Sequence, residues 1–294
     1  MSKQDKAWLD ILDFPHPDRE EKPRHHGLTM VIDKGLGLTD TRDLMELASD
    51  YIDQVKLTFG TSAFYKTRLL RQKVELVKSY GVDIFPGGTF LELALLQERV
   101  VEYFDRAREL GFTGIEVSDG TITLDLDTRW QTIQLARAYG FSLILSEVGK
   151  KDPRDKVTGM ALWQLVNNDL EAGADTVIVE GRESGEGVVI YDDEGRVIEE
   201  ELQELVSRVA DPSRVLWEAP QKSQQQELIL RFGANVNLGN VQPQDVLALE
   251  ALRVGLRGDT LRHYYLTVGQ VKTPALGPKS VKGGVERGVN HPLS

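Results

Sequence analysis

The chain has 294 residues, 40% of them hydrophobic, which is enough for one large core. Its formal net charge of −11 argues against non-specific binding to nucleic acid or to anionic membranes, because both rely on a surplus of Lys and Arg. Cysteine is absent, which excludes thiol nucleophiles, disulfides, iron–sulfur clusters and Cys-type zinc sites.

Residues 1–26 hold a short amphipathic stretch, Trp8 to Phe14, and then a charged linker, PHPDREEKPRHH. No apolar run has signal-peptide or transmembrane character, so a cytoplasmic enzyme is the expectation. Apolar runs of strand length follow at Leu28–Ile32, Gln54–Leu57, Val82–Phe85, Gly114–Val117, Ser142–Leu145, Thr176–Val179, Val215–Trp217 and Asn235–Leu238. Helical spacing separates them, as in Leu91 to Leu110, where Leu95, Val100, Tyr103, Phe104 and Ala107 can share a face. Gly81, Gly111, Gly140, Gly173 and Gly233 each close a helical run just before a strand, where a left-handed helix cap is expected.

Eight strands alternating with helices predict a (β/α)₈ TIM barrel over residues 27–260, with an open doubly wound sheet as the competing α/β arrangement. The missing G-x-G-x-x-G after the first strand disfavours the latter. Val188 to Val197 predicts a hairpin over the barrel mouth, turning at Asp193–Gly195. Residues 261–294 form a C-terminal extension, expected to be partly disordered from about residue 269, where periodicity gives way to Gly, Pro and Lys.

In such a barrel the strand ends converge on one site. Carboxylates end five strands, at Asp33, Glu116, Glu147, Glu180 and Glu218. Crowded acids repel one another, and a hard divalent ion with oxygen ligands, Mg²⁺ or Mn²⁺, relieves that repulsion. Any one of these acids is equally well explained as half of a structural ion pair with Lys34, Lys56, Lys150 or Arg182. Zinc is disfavoured, since all five histidines lie in the terminal segments.

Alternation along the sixth strand turns Ile178 inward with Glu180, and Val177 and Val179 toward the helices. In the eighth it turns Asn235 and Asn237 into the barrel. Lys222 and the S-x-x-Q box from Ser223 to Gln226 suggest an anion site at a helix start, and Gly87 and Gly88 permit close approach to a ligand. As plain helix-start and turn residues they are explained as well.

The motifs GLTMVIDKGLG at 27–37, DYIDQVKLTFGTS at 50–62, FPGGT at 85–89, EVSDG at 116–120, EVGKK at 147–151, VEGRESG at 179–185, EAPQKSQQ at 218–225 and LRVGLRGDT at 252–260 together resemble the phosphosulfolactate synthase family. The resemblance covers roughly residues 26–260. It implies a Mg²⁺-dependent barrel enzyme that adds sulfite to phosphoenolpyruvate to give (2R)-3-phosphosulfolactate, for coenzyme M or sulfolactate formation. It also implies a homo-oligomer, with archaeal relatives similar to trimers. At Thr58–Phe59 the chain departs from the family's Gly-Trp, which bears on the pocket beside the second strand and on the substrate.

On this reading Asp33, Glu116, Glu147 and Glu180 are the candidate metal ligands. Lys34, Lys56, Arg182, Lys222, Ser223, Asn237, Gly87 and Gly88 are the candidate substrate-binding residues. Lys151 or Lys150 is the candidate proton donor, with a pKa expected to be depressed by neighbouring cations. Two alternatives remain: another Mg²⁺-dependent phosphoenolpyruvate lyase or aldolase on the same barrel, with Lys56 as a Schiff-base lysine, or a non-catalytic, stress-related member of the family.

Overall fold

All eight apolar runs form strands, and every strand pair is parallel. A computed structural model describes residues 6–152 and 161–268. The strands are β1 (Thr29–Asp33), β2 (Gln54–Leu57), β3 (Asp83–Pro86), β4 (Gly114–Ser118), β5 (Leu143–Val148), β6 (Thr176–Val179), β7 (Val215–Glu218) and β8 (Asn237–Val241). Hydrogen-bonded ladders run β3-β2-β1-β8-β7-β6-β5-β4. Thr113 spans the remaining seam: its N–H donates to Ile84 O at 3.1 Å, and its Oγ1 accepts from Ile84 N at 2.9 Å. The result is a (β/α)₈ barrel.

The helices around it are α1 (Leu38–Ala48), α2 (Thr67–Ser79), α3 (Gly88–Leu96), α4 (Val100–Leu110), α5 (Leu126–Ala138), α6 (Leu162–Ala172), α7 (Glu199–Arg208), α8 (Lys222–Phe232), α9 (Val246–Arg253) and α10 (Gly258–Val268). The five glycines expected at helix ends all have positive φ. Val31, Val55, Val117, Val177 and Val179 face the helices in the larger apolar core. Met30, Phe85, Leu145, Ile178 and Leu216 fill the barrel interior. The inner plug supports whatever stands above it on the same strand faces.

Four details differ from the sequence reading. The helical run from Leu91 breaks into α3 and α4 at Glu98, whose φ of 56° is left-handed. Strand β8 begins at Asn237, because Asn235 is drawn outside the barrel by Arg19 and by the N–H of Glu20. The 188–197 segment makes two isolated bridges, Val188 with Tyr191 and Tyr191 with Val197, and Tyr191 is buried with its hydroxyl donating to Glu218 O. Helix α10 continues the chain across residue 260 to Val268, and the expected tail beyond it lies outside the described residues.

Candidate active site

The pleat decides which side chains reach the mouth. On β2, β4, β5 and β7 the residues Lys56, Glu116, Glu147 and Glu218 share the inward face, above the apolar plug. All four are at least 95% buried. Lys56 Nζ lies 3.0 Å from Glu116 Oε2, 2.8 Å from Glu147 Oε2 and 3.2 Å from Glu218 Oε1. One ammonium thus joins three strands. Lys151 enters from the β5 loop, with Nζ 3.0 Å from Glu147 Oε1, 3.7 Å from Glu180 Oε2 and 2.9 Å from Thr89 Oγ1.

Four carboxyl groups share this space with two ammoniums, so they cannot all ionise alike. Burial pushes Glu116 up to about 8, with the nearby Lys56 charge opposing only part of the shift. Burial, together with the charges of Glu147 and Glu218, also raises Glu180 well above the usual carboxylate range. For Glu147 burial is outweighed by the Lys151 and Lys56 ammoniums, which hold it well below that range. Both lysines are shifted upward: burial disfavours their charge, but the carboxylates win, Glu116 and Glu147 chiefly at Lys56 and Glu147 and Glu180 at Lys151. The expected depressed lysine pKa is therefore overturned, because the neighbours of Lys151 are mainly acids.

Groups outside the mouth orient those inside it. Glu92, buried on α3, accepts from Ser118 Oγ at 2.7 Å and from the N–H groups of Thr121 and Ile122, both at 3.0 Å. Ser118 Oγ also lies 3.0 Å from Glu147 Oε1. Arg129, buried on α5, binds Asp169 and Asp119 and donates to Glu147 O at 2.9 Å. Glu92 and Arg129 gave no signal in the sequence, since each sits inside a helix and its partners come from other segments. Ser118 and Asp119 were visible only as polar residues at a strand end.

A cavity of ≈ 190 Å³ opens at this point, lined by Lys56, Phe59, Gly87, Gly88, Thr89, Glu147, Lys151, Glu180, Arg182, Glu218 and Asn240, among others. Of the candidate binding residues, Lys56, Arg182, Gly87 and Gly88 are brought together there. The N–H of Gly88 is already used by Glu116 Oε1 at 2.7 Å, and a Cβ at Gly88 would come within 2.5 Å of Ser118 Cβ. Glycine here serves close packing of the start of α3 against β4.

Five sites move away from their expected roles. Asn237 lies at the opposite end of the barrel, accepting from Leu28 N and donating to Ser213 O and Val215 O, because β8 starts two residues later than its sequence pattern suggested. Lys222 is on the surface with Asp259, and Ser223 lies inside the first turn of α8, whose capping pair is Gln221 with Gln224. Lys34 pairs with Glu183 in solvent. Lys150 is tied to Asp119 O, Asp119 Oδ2 and Ile122 O, which leaves Lys151 as the EVGKK lysine in the cavity.

A fitting donor set for a divalent cation also differs from the expected one. Asp33 is engaged by Lys73 at 2.5 Å and by the N–H groups of Gly35 and Leu36, and Glu116 by Gly88 and Lys56. Glu147, Glu180 and Glu218 each offer a carboxylate oxygen, all within 4.8 Å of one another. Glu180 Oε2 is buried and, among the described residues, accepts no hydrogen bond, with the Lys151 ammonium 3.7 Å away. Three oxygen donors with one unsatisfied suit a hard ion such as Mg²⁺.

Residues 17–259 match the model of the (2R)-phospho-3-sulfolactate synthase (ComA) family. The chain belongs to the phosphosulfolactate synthase family. A phosphosulfolactate synthase of Methanothermobacter thermautotrophicus is 46% identical over 255 residues, 86% of this chain and 98% of the relative. That of Methanocaldococcus jannaschii is 45% identical over 236 residues, 80% and 93% of the two chains. A fungal endo-β-N-acetylglucosaminidase of glycosyl hydrolase family 18 superposes with a TM-score of 0.54 at 9% identity, over 77% of this chain and 98% of that one. That likeness concerns the barrel alone. The phosphosulfolactate synthase match spans every strand of the barrel and so includes all the residues lining the cavity.

Proposed function

We propose that the chain catalyses the addition of sulfite to phosphoenolpyruvate, giving (2R)-3-phosphosulfolactate. The observation carrying this reading is the buried cluster of Lys56, Lys151, Glu147, Glu180 and Glu218 at the strand ends of a chain that matches this family throughout its barrel. The sulfur lone pair forms a bond to C3, the C2=C3 π pair moves onto C2 and its carboxylate, and C2 then takes a proton. The charge that builds on the carboxylate is the main barrier.

Lys56, Lys151 and Arg182 face that charge in a small cavity, where ammonium and guanidinium groups act more strongly than in water. Lys151 Nζ donates the proton to C2. Its raised pKa makes it a weaker acid than the sequence suggested, but a carbanionic C2 is far more basic than an amine. Glu147 and Glu180 hold the Lys151 ammonium in place, and Thr89 fixes its remaining direction. Glu147, Glu180 and Glu218 would hold Mg²⁺, which when bound supplies Lewis-acid neutralisation of the substrate carboxylate.

The Schiff-base alternative is disfavoured, because Lys56 is kept charged by three carboxylates and a charged amine is not a nucleophile. The reading extends to a cytoplasmic homo-oligomer, and a trimer mass in light scattering is the expected result. No described helix is long and apolar enough to cross a membrane. Incubation with phosphoenolpyruvate, sulfite and Mg²⁺ should remove the enol absorbance without releasing phosphate. If the absorbance decays equally without sulfite, or not at all, the proposed reaction is wrong.

A further inference from the structure

We infer that Asn240 forms the sulfite subsite of the cavity and accepts a hydrogen bond from the protonated form of that nucleophile, hydrogen sulfite. The inference rests on the reaction proposed above. Asn240 stands near the end of β8, is 4% exposed and lines the cavity beside Lys56, Glu180 and Glu218. Its Nδ2 donates to Arg182 O at 3.1 Å. Its Oδ1 is buried and has no hydrogen-bond partner among the described residues.

The orientation of this amide is not arbitrary. Turning it over would set Oδ1 against the Arg182 carbonyl, two acceptors facing each other, so the unpaired group of this side chain is an acceptor. A buried acceptor left unpaired is costly, and among the described residues the two cavity lysines and Arg182 already have partners. Lys56 serves three carboxylates, Lys151 serves Glu147, Glu180 and Thr89, and the Arg182 guanidinium reaches Lys151 O. A ligand O–H in the cavity would supply the missing proton.

Ionised phosphate and carboxylate groups only accept hydrogen bonds, and they would be repelled by Asn240 Oδ1. Hydrogen sulfite carries an O–H donor together with the sulfur lone pair that reacts. The proton count agrees. Hydrogen sulfite plus fully ionised phosphoenolpyruvate equals the fully ionised product, so the proton that leaves the sulfur oxyanion balances the one gained at C2. In this addition one C–S bond forms, one π bond is lost and no external oxidant or acid is consumed.

Backbone geometry supports the same placement. Arg182 and Asn240, the two residues joined by this hydrogen bond, have left-handed φ values of 59° and 54°. Phe59, a third cavity-lining residue, has a φ of 56°. Such conformations in residues other than glycine persist where surrounding structure enforces them, and they concentrate at binding sites. The Asn240 to Arg182 bond therefore fixes the direction of the Asn240 amide beside the cavity.

The test is Asn240→Gly, which removes the amide and tolerates the left-handed backbone, so it should retain the fold, checked by circular dichroism. Steady-state kinetics with each substrate varied separately should show KM for sulfite raised about tenfold, the loss of roughly one hydrogen bond, with KM for phosphoenolpyruvate unchanged. Wild-type KM for total sulfite should rise as pH is raised through the ionisation of hydrogen sulfite, and the variant should lose that dependence. Unchanged KM for sulfite, or an equal rise for both substrates, overturns the subsite while leaving the reaction standing. Absence of sulfite-dependent turnover in the wild-type protein overturns the reaction and the subsite together.

Discussion

Lys151 and Glu116 show how one cluster gives neighbouring groups opposite tasks. Lys151 stays charged because Glu147 and Glu180 outweigh the cost of its burial, and its side chain is the more exposed of the two cluster lysines. Lys151→Ala should lower kcat by roughly 10²–10⁴, the usual span for a lost proton donor, with phosphoenolpyruvate still bound in a calorimetric titration. Retention of full activity removes Lys151 from the chemistry.

Burial pushes Glu116 up to about 8 in the folded protein from an ordinary 4.5, so between those values the folded state holds a proton that the unfolded chain has released. Stability from this group is full below pH 4.5 and declines toward pH 8. Glu116→Gln removes the decline. Urea unfolding with a chelator present should show the variant gaining on wild type by on the order of a few kcal/mol between pH 5 and pH 8. A gap that is constant with pH contradicts the assignment.

At the scale of elements, the site depends on helices reaching over strand ends. Arg129 from α5 ties Asp119 after β4, Asp169 on α6 and the carbonyl of Glu147 on β5, with its side chain 3% exposed. Arg129→Ala leaves two acids without their buried partner and should cost about 3–5 kcal/mol in chemical denaturation. A loss below ~1 kcal/mol would mean that water replaces the guanidinium freely.

The strands were legible because a parallel, doubly covered strand reads as an apolar run, and pleat parity then put Ile178 on the same face as Glu180. The partners of those strand ends were not legible. Asp33, a candidate metal ligand from its strand end, is held by Lys73 of α2, a cation that strand-end spacing does not reveal, and Lys150 and Lys151 look alike in sequence although Asp119 holds only the first. Asn237 misled because parity fixes the face of a residue but not its height, and height was set by where β8 begins.

Across the whole molecule the two ends of the barrel divide the work. The N-terminal end holds a cavity of ≈ 930 Å³ lined by Lys22, Arg24, Asp53, Gln54 and Asp83, remote from the carboxylate cluster. There Arg24, brought by the N-terminal linker, pairs with buried Asp53, which also accepts from Thr29 N. Arg24→Ala should lower stability by about 3–5 kcal/mol yet leave both KM values unchanged in the folded protein. A selective change in one KM would place a functional group at the wrong end of the barrel.

The central claim is that the cluster at the C-terminal strand ends joins sulfur to C3 and protonates C2 with the phosphate retained. Carbon and phosphorus NMR of phosphoenolpyruvate and sulfite incubated with the protein and Mg²⁺ in D₂O reads all three events at once. The account predicts a sulfonate-bearing C3 without deuterium, a single deuterium at C2 and an intact phosphate ester. Deuterium at C3, released phosphate or unchanged phosphoenolpyruvate would contradict it.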